Sequence, residues 1–159
     1  MTLEELLAHA EITDLVHARL HCLDTKDWDR YGGFHTRDVV SRTWGDFPDD
    51  SAAAAAVVGR DALVAAVRTA LGGPVPVTTV HRVQLADLRV TSSTTAEGTW
   101  SMEDRLWWEH ADGLEHLHGW GHHQETYRLE DTWLVASRTL QRTRVERTPG
   151  YFDHLETSV

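Results

Sequence analysis

Three polar side chains stand where the surrounding pattern asks for apolar ones. In TWSMEDRLWWE (99–109), read as a strand with side chains alternating between faces, Trp100, Met102, Asp104 and Leu106 share one side. In VTTVHRVQL (77–85) the matching side holds Val77, Thr79, His81, Val83 and Leu85. Asp24 falls at the C-terminal end of the first helical segment, where a negative charge opposes the helix dipole and does not serve helix stability. An unpaired buried carboxylate is costly, so such an acid should have a partner or a task. An aspartate beside a histidine is one such arrangement. The carboxylate fixes the imidazole tautomer and stabilises the imidazolium formed on proton capture, which makes the pair a general base. The competing reading is ordinary buried hydrogen bonding around a core histidine.

These residues lie on separate elements that must converge. Thr2 and Glu5 match a capping box, and Leu3, Leu6, Leu7, Ala10, Leu15, Val16, Leu20 and Leu23 recur near helical spacing. The pattern predicts a helix from Thr2 to about Leu23. Asp27 is placed to cap a short second helix through Trp28 and Tyr31, stopped by Gly32-Gly33. DVVSRTW (38–44) is a candidate strand, GDFPDDSAAAAAVV (45–58) a loop, and GRDALVAAVRTALGG (59–73) a helix with a glycine stop. Four strand-like runs follow at 77–90, 95–109, 117–130 and 132–145, punctuated by Gly98, Asp112-Gly113 and Asp131. Helices first and long antiparallel strands after make an α+β order. The expected architecture is a cone-shaped, curved, mainly antiparallel sheet closed by the N-terminal helices around a pocket. A single domain over 1–147 is expected, with 148–159 as a C-terminal tail.

The bulk numbers exclude several classes. A formal net charge of −10 over 159 residues argues against a nucleic-acid-binding surface. The single cysteine, Cys22, forms no internal disulfide and suits a reducing compartment. The opening MTLEELLAHAEITDL lacks the pattern of a signal peptide, and no run approaches the roughly 20 apolar residues of a membrane span. A cytoplasmic location is therefore expected, with neither nucleic acid nor membrane as partner. Eleven histidines and seven tryptophans suit an aromatic-lined cavity, and equally an ordinary core.

The stretches CLDTKDWD, VVGRDALVAAV, TVHRV, TAEGTWSMEDRLWW and HGWGHHQETYRLEDTWLVASRTLQR, in this order and spacing, resemble the SnoaL-like branch of the nuclear-transport-factor-2-like superfamily. The resemblance covers about residues 3–145. It implies an α+β cone around a pocket. Its enzymes include dehydratases of the scytalone and bile acid types, a hexachlorocyclohexane dehydrochlorinase, polyketide cyclases and ketosteroid isomerase, beside members that only bind ligands. The resemblance to the bile acid dehydratase type places Asp24, His81, Asp104 and Arg142 at that enzyme's functional positions, and the Asp24–His81 pair also resembles the dehydrochlorinase. Arg19 departs from the first pattern. Five residues before the aspartate, the dehydratase has a tyrosine and the dehydrochlorinase a lysine. An always-charged guanidinium does not readily deliver a proton, but it can stabilise an oxyanion, a carboxylate or a departing anion. Asp104 is expected near His81, helping to hold or charge the base, or accepting hydrogen bonds from His81 or Arg19.

EHLHGWGHH (115–123) invites a metal reading, because His116 and His118 share a strand face. A surface histidine cluster is the simpler account, and no metal is expected. His122 and His123 point to opposite faces, so at most one lines the cavity; Glu125 and Tyr127 go with His123, and Trp120 with His122. On the last strand Leu134, Ala136, Arg138, Leu140 and Arg142 share a face, where the arginines suit an anion or a ladder of surface ion pairs. The expected site thus has Asp24, His81 and Asp104 as catalytic residues. Arg19, Arg142, Trp100, Trp44 and His123 are its substrate-binding residues. The expected reaction is cofactor-free proton abstraction with elimination from a hydrophobic polycyclic or aromatic molecule, as in a dehydratase-like lyase. An isomerase or cyclase would use the same parts, and a ligand-binding protein without turnover is the rival from another class. A homo-oligomer is expected, trimer before dimer, because an open tryptophan-rich sheet needs covering.

Overall fold

The computed structural model describes residues 1–44 and 56–156, with side chains for 1–43 and 56–155. Helix α1 (Leu3–Thr25) starts on the capping box: Glu5 N–H donates to Thr2 Oγ1 at 3.1 Å, and Thr2 N–H to Glu5 Oε2 at 2.7 Å. It ends at Lys26, whose φ of 60° is left-handed and whose N–H returns to the Cys22 and Leu23 carbonyls. Asp27 caps α2 (Trp28–Gly32) by accepting from the Arg30 N–H. Then come β1 (His35–Trp44), β2 (Val57–Val58) and α3 (Arg60–Gly72). The four long strands are β3 (Thr78–Ser92), β4 (Thr95–His110), β5 (Gly113–Leu129) and β6 (Trp133–Arg147), and α4 (Asp153–Glu156) follows. The loop expected over 45–58 therefore ends in a short strand, while its stretch 45–55 lies outside the described residues.

The sheet is mixed and open, in the order β2-β1-β6-β5-β4-β3. All neighbours are antiparallel except β1 and β6, which run parallel. Parallel neighbours need a long connection, and here nearly the whole chain supplies it. Helix α1 packs across β3 and β6, and α3 on β1. Ile12, Val16 and Leu20 of α1 meet Val39, Trp100, Tyr127 and Val135 of the sheet in the main core. Full burial of one such side chain contributes about 1.5–3 kcal/mol. A one-residue slip would turn a whole strand's share outward, so the register is firmly set. No described helix is long and apolar enough to cross a membrane.

Local geometry departs from simple alternation where strands bulge. The pairing of β3 with β4 shifts between Leu85 and Asp87: Leu85 keeps the face of His81 and Val83, opposite Trp100, but is exposed on this edge strand, and Leu88 beyond the shift turns in. On β6 a shift opposite Thr126 and Tyr127 separates Leu134 and Ala136 from the face that carries Arg138, Leu140 and Arg142. Gly98 is no break: it pairs with Leu88 and Glu125 inside β4, where a Cβ would crowd Tyr127, Leu88 and Trp100 at 3.1–3.2 Å. Leu3, Leu6 and Leu7 fit the helical stripe but remain exposed, because the sheet does not reach the first turns of α1.

The segment read as a tail folds back onto the domain. Tyr151 is buried and its carbonyl accepts from Trp108 Nε1 at 2.7 Å. The His154 ring nitrogens lie 2.7 Å from that same carbonyl and 3.2 Å from the Ala70 carbonyl. Tyr151 joins Val77, Leu106, Trp108 and Leu117 in a second, smaller core. Single aromatic anchors hold this segment, and they leave no periodic signal in sequence.

Candidate active site

A cavity of about 260 Å³ lies between the helices and the inner face of the sheet, with α4 and the residues before it along its rim. Leu23, Leu71, Leu106, Leu117, Leu140 and Phe152 form much of its apolar wall. Its polar lining includes Arg19, Tyr31, His81, Asp104, His123, Arg138 and Arg142.

The structure brings Asp24 and His81 together. Helix α1 delivers Asp24 in its last turn, and β3 passes beside it. His81 Nδ1 is 2.7 Å from Asp24 Oδ1, the His81 backbone N–H donates to Oδ2 at 3.0 Å, and Thr79 Oγ1 donates to Oδ1 at 2.9 Å. Burial alone would raise the Asp24 pKa; the bonds from the His81 ring and backbone outweigh it and hold it below the ordinary value. A carboxylate at Nδ1 fixes the N–H there and leaves Nε2 as the basic nitrogen of a ring that lines the cavity.

Behind the pair, Lys26 Nζ donates to Thr79 Oγ1 at 2.9 Å. Burial lowers the Lys26 pKa to about 8, against the pull of Asp24, from its ordinary 10.5. Between those two values the unfolded chain binds more protons than the folded one. Stability should therefore rise with pH across that window, as the buried ammonium is discharged. Urea midpoints of the wild type should climb from pH 8 to pH 10.5, and those of Lys26→Met should climb less.

Arg19 and Asp104 have partners other than those expected. Arg19 is 1% exposed, and its Nη2 donates to Glu125, not to Asp24 or Asp104. Burial opposes the Arg19 charge, yet Glu125 beside it lifts its pKa above the ordinary value. Glu125 Oε2 also accepts from Tyr127 Oη at 2.6 Å, and Tyr127 Oη from Trp100 Nε1 at 2.7 Å. Trp100, expected as a cavity wall, is instead fully buried in this chain of bonds within the core and does not line the cavity. Asp104 is 1% exposed and accepts from Arg142 Nη2; the partner that its position on an apolar face demands comes from β6. His81 is its neighbour in the β3–β4 register, but the His81 ring turns to Asp24.

A Cβ on Gly119 would overlap both Asp104 Oδ1 and Arg142 Nε, and one on Gly121 would strike the backbone of Gln141 and Arg142 at the β6 bulge. Gly119→Ala should push the ion pair off its seat and destabilise the fold by about 1–3 kcal/mol, the usual cost of overpacking, read as a lowered denaturation midpoint. His118 sits on the outer face with Nε2 2.7 Å from Glu103 Oε1, and His122 is exposed. Among the described residues no group of three or more His, Cys, Asp or Glu could hold a metal ion.

His123 is the member of its pair that lines the cavity. Burial, with Arg138 and Arg19 nearby, pushes its pKa well below the ordinary value, so the ring is neutral. Its Nδ1 accepts from Arg138 Nε at 3.2 Å. The Trp44 side chain lies outside the described residues. Glu125 and Tyr31 were not singled out for the site. Glu125 could have been found from the face it shares with His123, since a carboxylate there needs a cation. Tyr31 on the short α2 carries no such signal.

The SnoaL-like domain family matches residues 4–139. No curated protein is similar enough in sequence to count as a match. Among solved structures, a hexachlorocyclohexane dehydrochlorinase from Novosphingobium barchaimii superposes with a TM-score of 0.71 at 15% identity, over 93% of this chain and 94% of its own. A candidate scytalone dehydratase from Novosphingobium aromaticivorans gives 0.70 at 15% identity, over 92% and 91%. An NTF2-like protein with a cystatin-like fold from the same organism gives 0.66 at 18%, over 89% and 85%. At such identities these likenesses speak for the fold alone. With the family match running from α1 into β6, the chain belongs to the SnoaL-like domain family.

Proposed function

We propose that the chain is a cofactor-free lyase in which His81 removes a proton from a carbon atom of a substrate held in the cavity. The observation that carries this reading is a histidine lining a largely apolar cavity with Nδ1 held by a carboxylate at 2.7 Å. Asp24 keeps the Nδ1–H tautomer and stabilises the imidazolium after Nε2 takes the proton. The negative charge left on the substrate develops beside the guanidiniums of Arg19, Arg138 and Arg142. Loss of a leaving group with its electron pair then completes the double bond. Burial raises the pKa of Tyr31, against the pull of Arg138 and Arg19, so its hydroxyl stays protonated and serves as proton donor to a departing oxygen. Asp104, bound to Arg142, sets the charge of the cavity floor and is not a second carboxylate on His81. Family membership and dehydratase- and dehydrochlorinase-named neighbours support this class of chemistry. The cavity is near the lower end of the roughly 300–1,000 Å³ usual for ligand pockets, which favours one or two rings over a steroid.

The test is a panel of one- and two-ring β-hydroxy and β-halo ketones followed by proton NMR in heavy water, for wild type and His81→Asn. Loss of water or halide that disappears in the variant is the expected result. Deuterium uptake without elimination would make the chain an isomerase. Ligand binding with neither reaction, unchanged in the variant, would make it a binding protein.

A further inference from the structure

Three guanidiniums line the cavity, and each has different company. Arg19 is paired with Glu125 and Arg142 with Asp104. Asp24, behind His81, is taken up by His81 and Thr79, with Lys26 across the threonine. Arg138 has no carboxylate partner among the described residues. Its Nε donates to neutral His123 at 3.2 Å and its Nη1 to Ser41 Oγ at 3.0 Å. Its Nη2 makes no hydrogen bond to a described residue, yet it is not among the polar atoms shut away from contact without a partner. The remaining donors of the guanidinium are thus open to whatever fills the cavity. Burial and repulsion by Arg19 and Arg142 disfavour its charge, only partly offset by Tyr31 and Glu125. A guanidinium nevertheless keeps its proton in proteins, so Nη2 stands as an open charged donor in the cavity wall.

We infer that Arg138 is the receptor for a negatively charged end group, a carboxylate or its equivalent, on an otherwise apolar substrate. Its neighbours fix the orientation: His123 and Ser41 hold Nε and Nη1, leaving Nη2 to bind an oxygen of the ligand. Leu106, Leu117, Leu140 and Phe152 receive the apolar body. The inference deepens the proposed function by naming the substrate as an acid, and it rests on the same cavity being the ligand site. It differs from charge stabilisation during reaction because it requires a permanent anion in the ground state.

The test compares binding of 2-naphthoate and its neutral counterpart 2-naphthamide by titration calorimetry. Wild type should bind the acid roughly tenfold or more tighter than the amide, the ratio a charge-assisted hydrogen bond supplies. Arg138→Gln should lose the preference, Arg138→Lys should keep part of it, and His81→Asn should keep all of it. Equal affinities in wild type, including no binding of either probe, would overturn the inference without the variants. So would a preference that survives Arg138→Gln. Inorganic phosphate at matched concentration should not displace 2-naphthoate; displacement would make this a site for free anions and overturn the inference as well. The two readings fail separately. An intact acid preference with no His81-dependent turnover overturns the lyase and leaves the receptor standing. His81-dependent turnover of neutral and acidic substrates alike does the reverse.

Discussion

Glu125→Gln should lower the unfolding free energy by about 3–5 kcal/mol, the cost of stripping a buried charge of its partner. Both members of the pair are almost fully removed from solvent, with side-chain exposures of 2% for Arg19 and 0% for Glu125. The amide keeps the shape of the carboxylate, so the loss reads out charge and not packing. It leaves Arg19 facing Arg138 and Arg142 with less to balance it, and it turns one acceptor of the Tyr127–Glu125 bond into a competing donor group. Urea denaturation monitored by tryptophan fluorescence measures the change, since Trp100 is bonded to Tyr127 in the same chain. Arg19→Met with Glu125→Leu together should recover much of the loss, because an apolar pair of similar volume can match a buried ion pair. A change below about 1 kcal/mol in Glu125→Gln would mean that water reaches the pair.

Asp24→Asn should reduce kcat/KM by about 10²–10⁴-fold on any substrate that the NMR panel identifies, the range for losing properly set acid–base catalysis. The fold should suffer far less. The asparagine can retain an oxygen toward the His81 backbone N–H, which now donates to Asp24 Oδ2 at 3.0 Å, and turn its amide group toward Thr79 Oγ1, now 2.9 Å from Oδ1. What it cannot retain is the charge that holds the imidazolium, and its amide group can favour the opposite tautomer. His81→Gln should cost a similar factor, and the double variant little more than either alone, because the two residues act as one unit. Near-wild-type kcat/KM in Asp24→Asn would assign the Asp24–His81 contact to structure.

Long periodic elements were legible in the sequence; short or irregular features were not. The capping box of Thr2 and Glu5, the stop at Gly32-Gly33 and the buried set Trp100, Met102, Asp104 and Leu106 are local patterns, and they appear as read. Asp24 and His81 each broke a local rule, and the resemblance to SnoaL-like enzymes is what set them side by side. Which carboxylate meets which arginine is another matter. Glu125 and Asp104 both face inward, and only the register and bulges of β5 and β6 decide that Arg142 reaches Asp104 and Arg19 reaches Glu125. A bulge displaces one residue without leaving a mark in composition, so Leu134 and Ala136 do not share the face of Arg138, Leu140 and Arg142 that alternation predicts. Trp100 was taken for a cavity wall because size and apolarity do not tell a core from a cavity. The return of Tyr151 and His154 depends on acceptors far away in the chain, at Trp108 and Ala70.

The sheet order has a consequence for how the chain is made. β1 has β6 as its long neighbour, so the first strand synthesised must wait for the last before that edge can zip. Growing chains emerge at about 5–20 residues per second, and long-range pairings form late. Until β5 leaves the ribosome, Arg19 has no Glu125; until β6 follows, Asp104 has no Arg142 and the anion receptor at Arg138 does not exist. These charged groups stay hydrated in the nascent chain, which should keep its half-built apolar face from closing prematurely. The ion pairs that later underlie the cavity thus act first as a delay, letting the site assemble only when every strand that contributes to it is present.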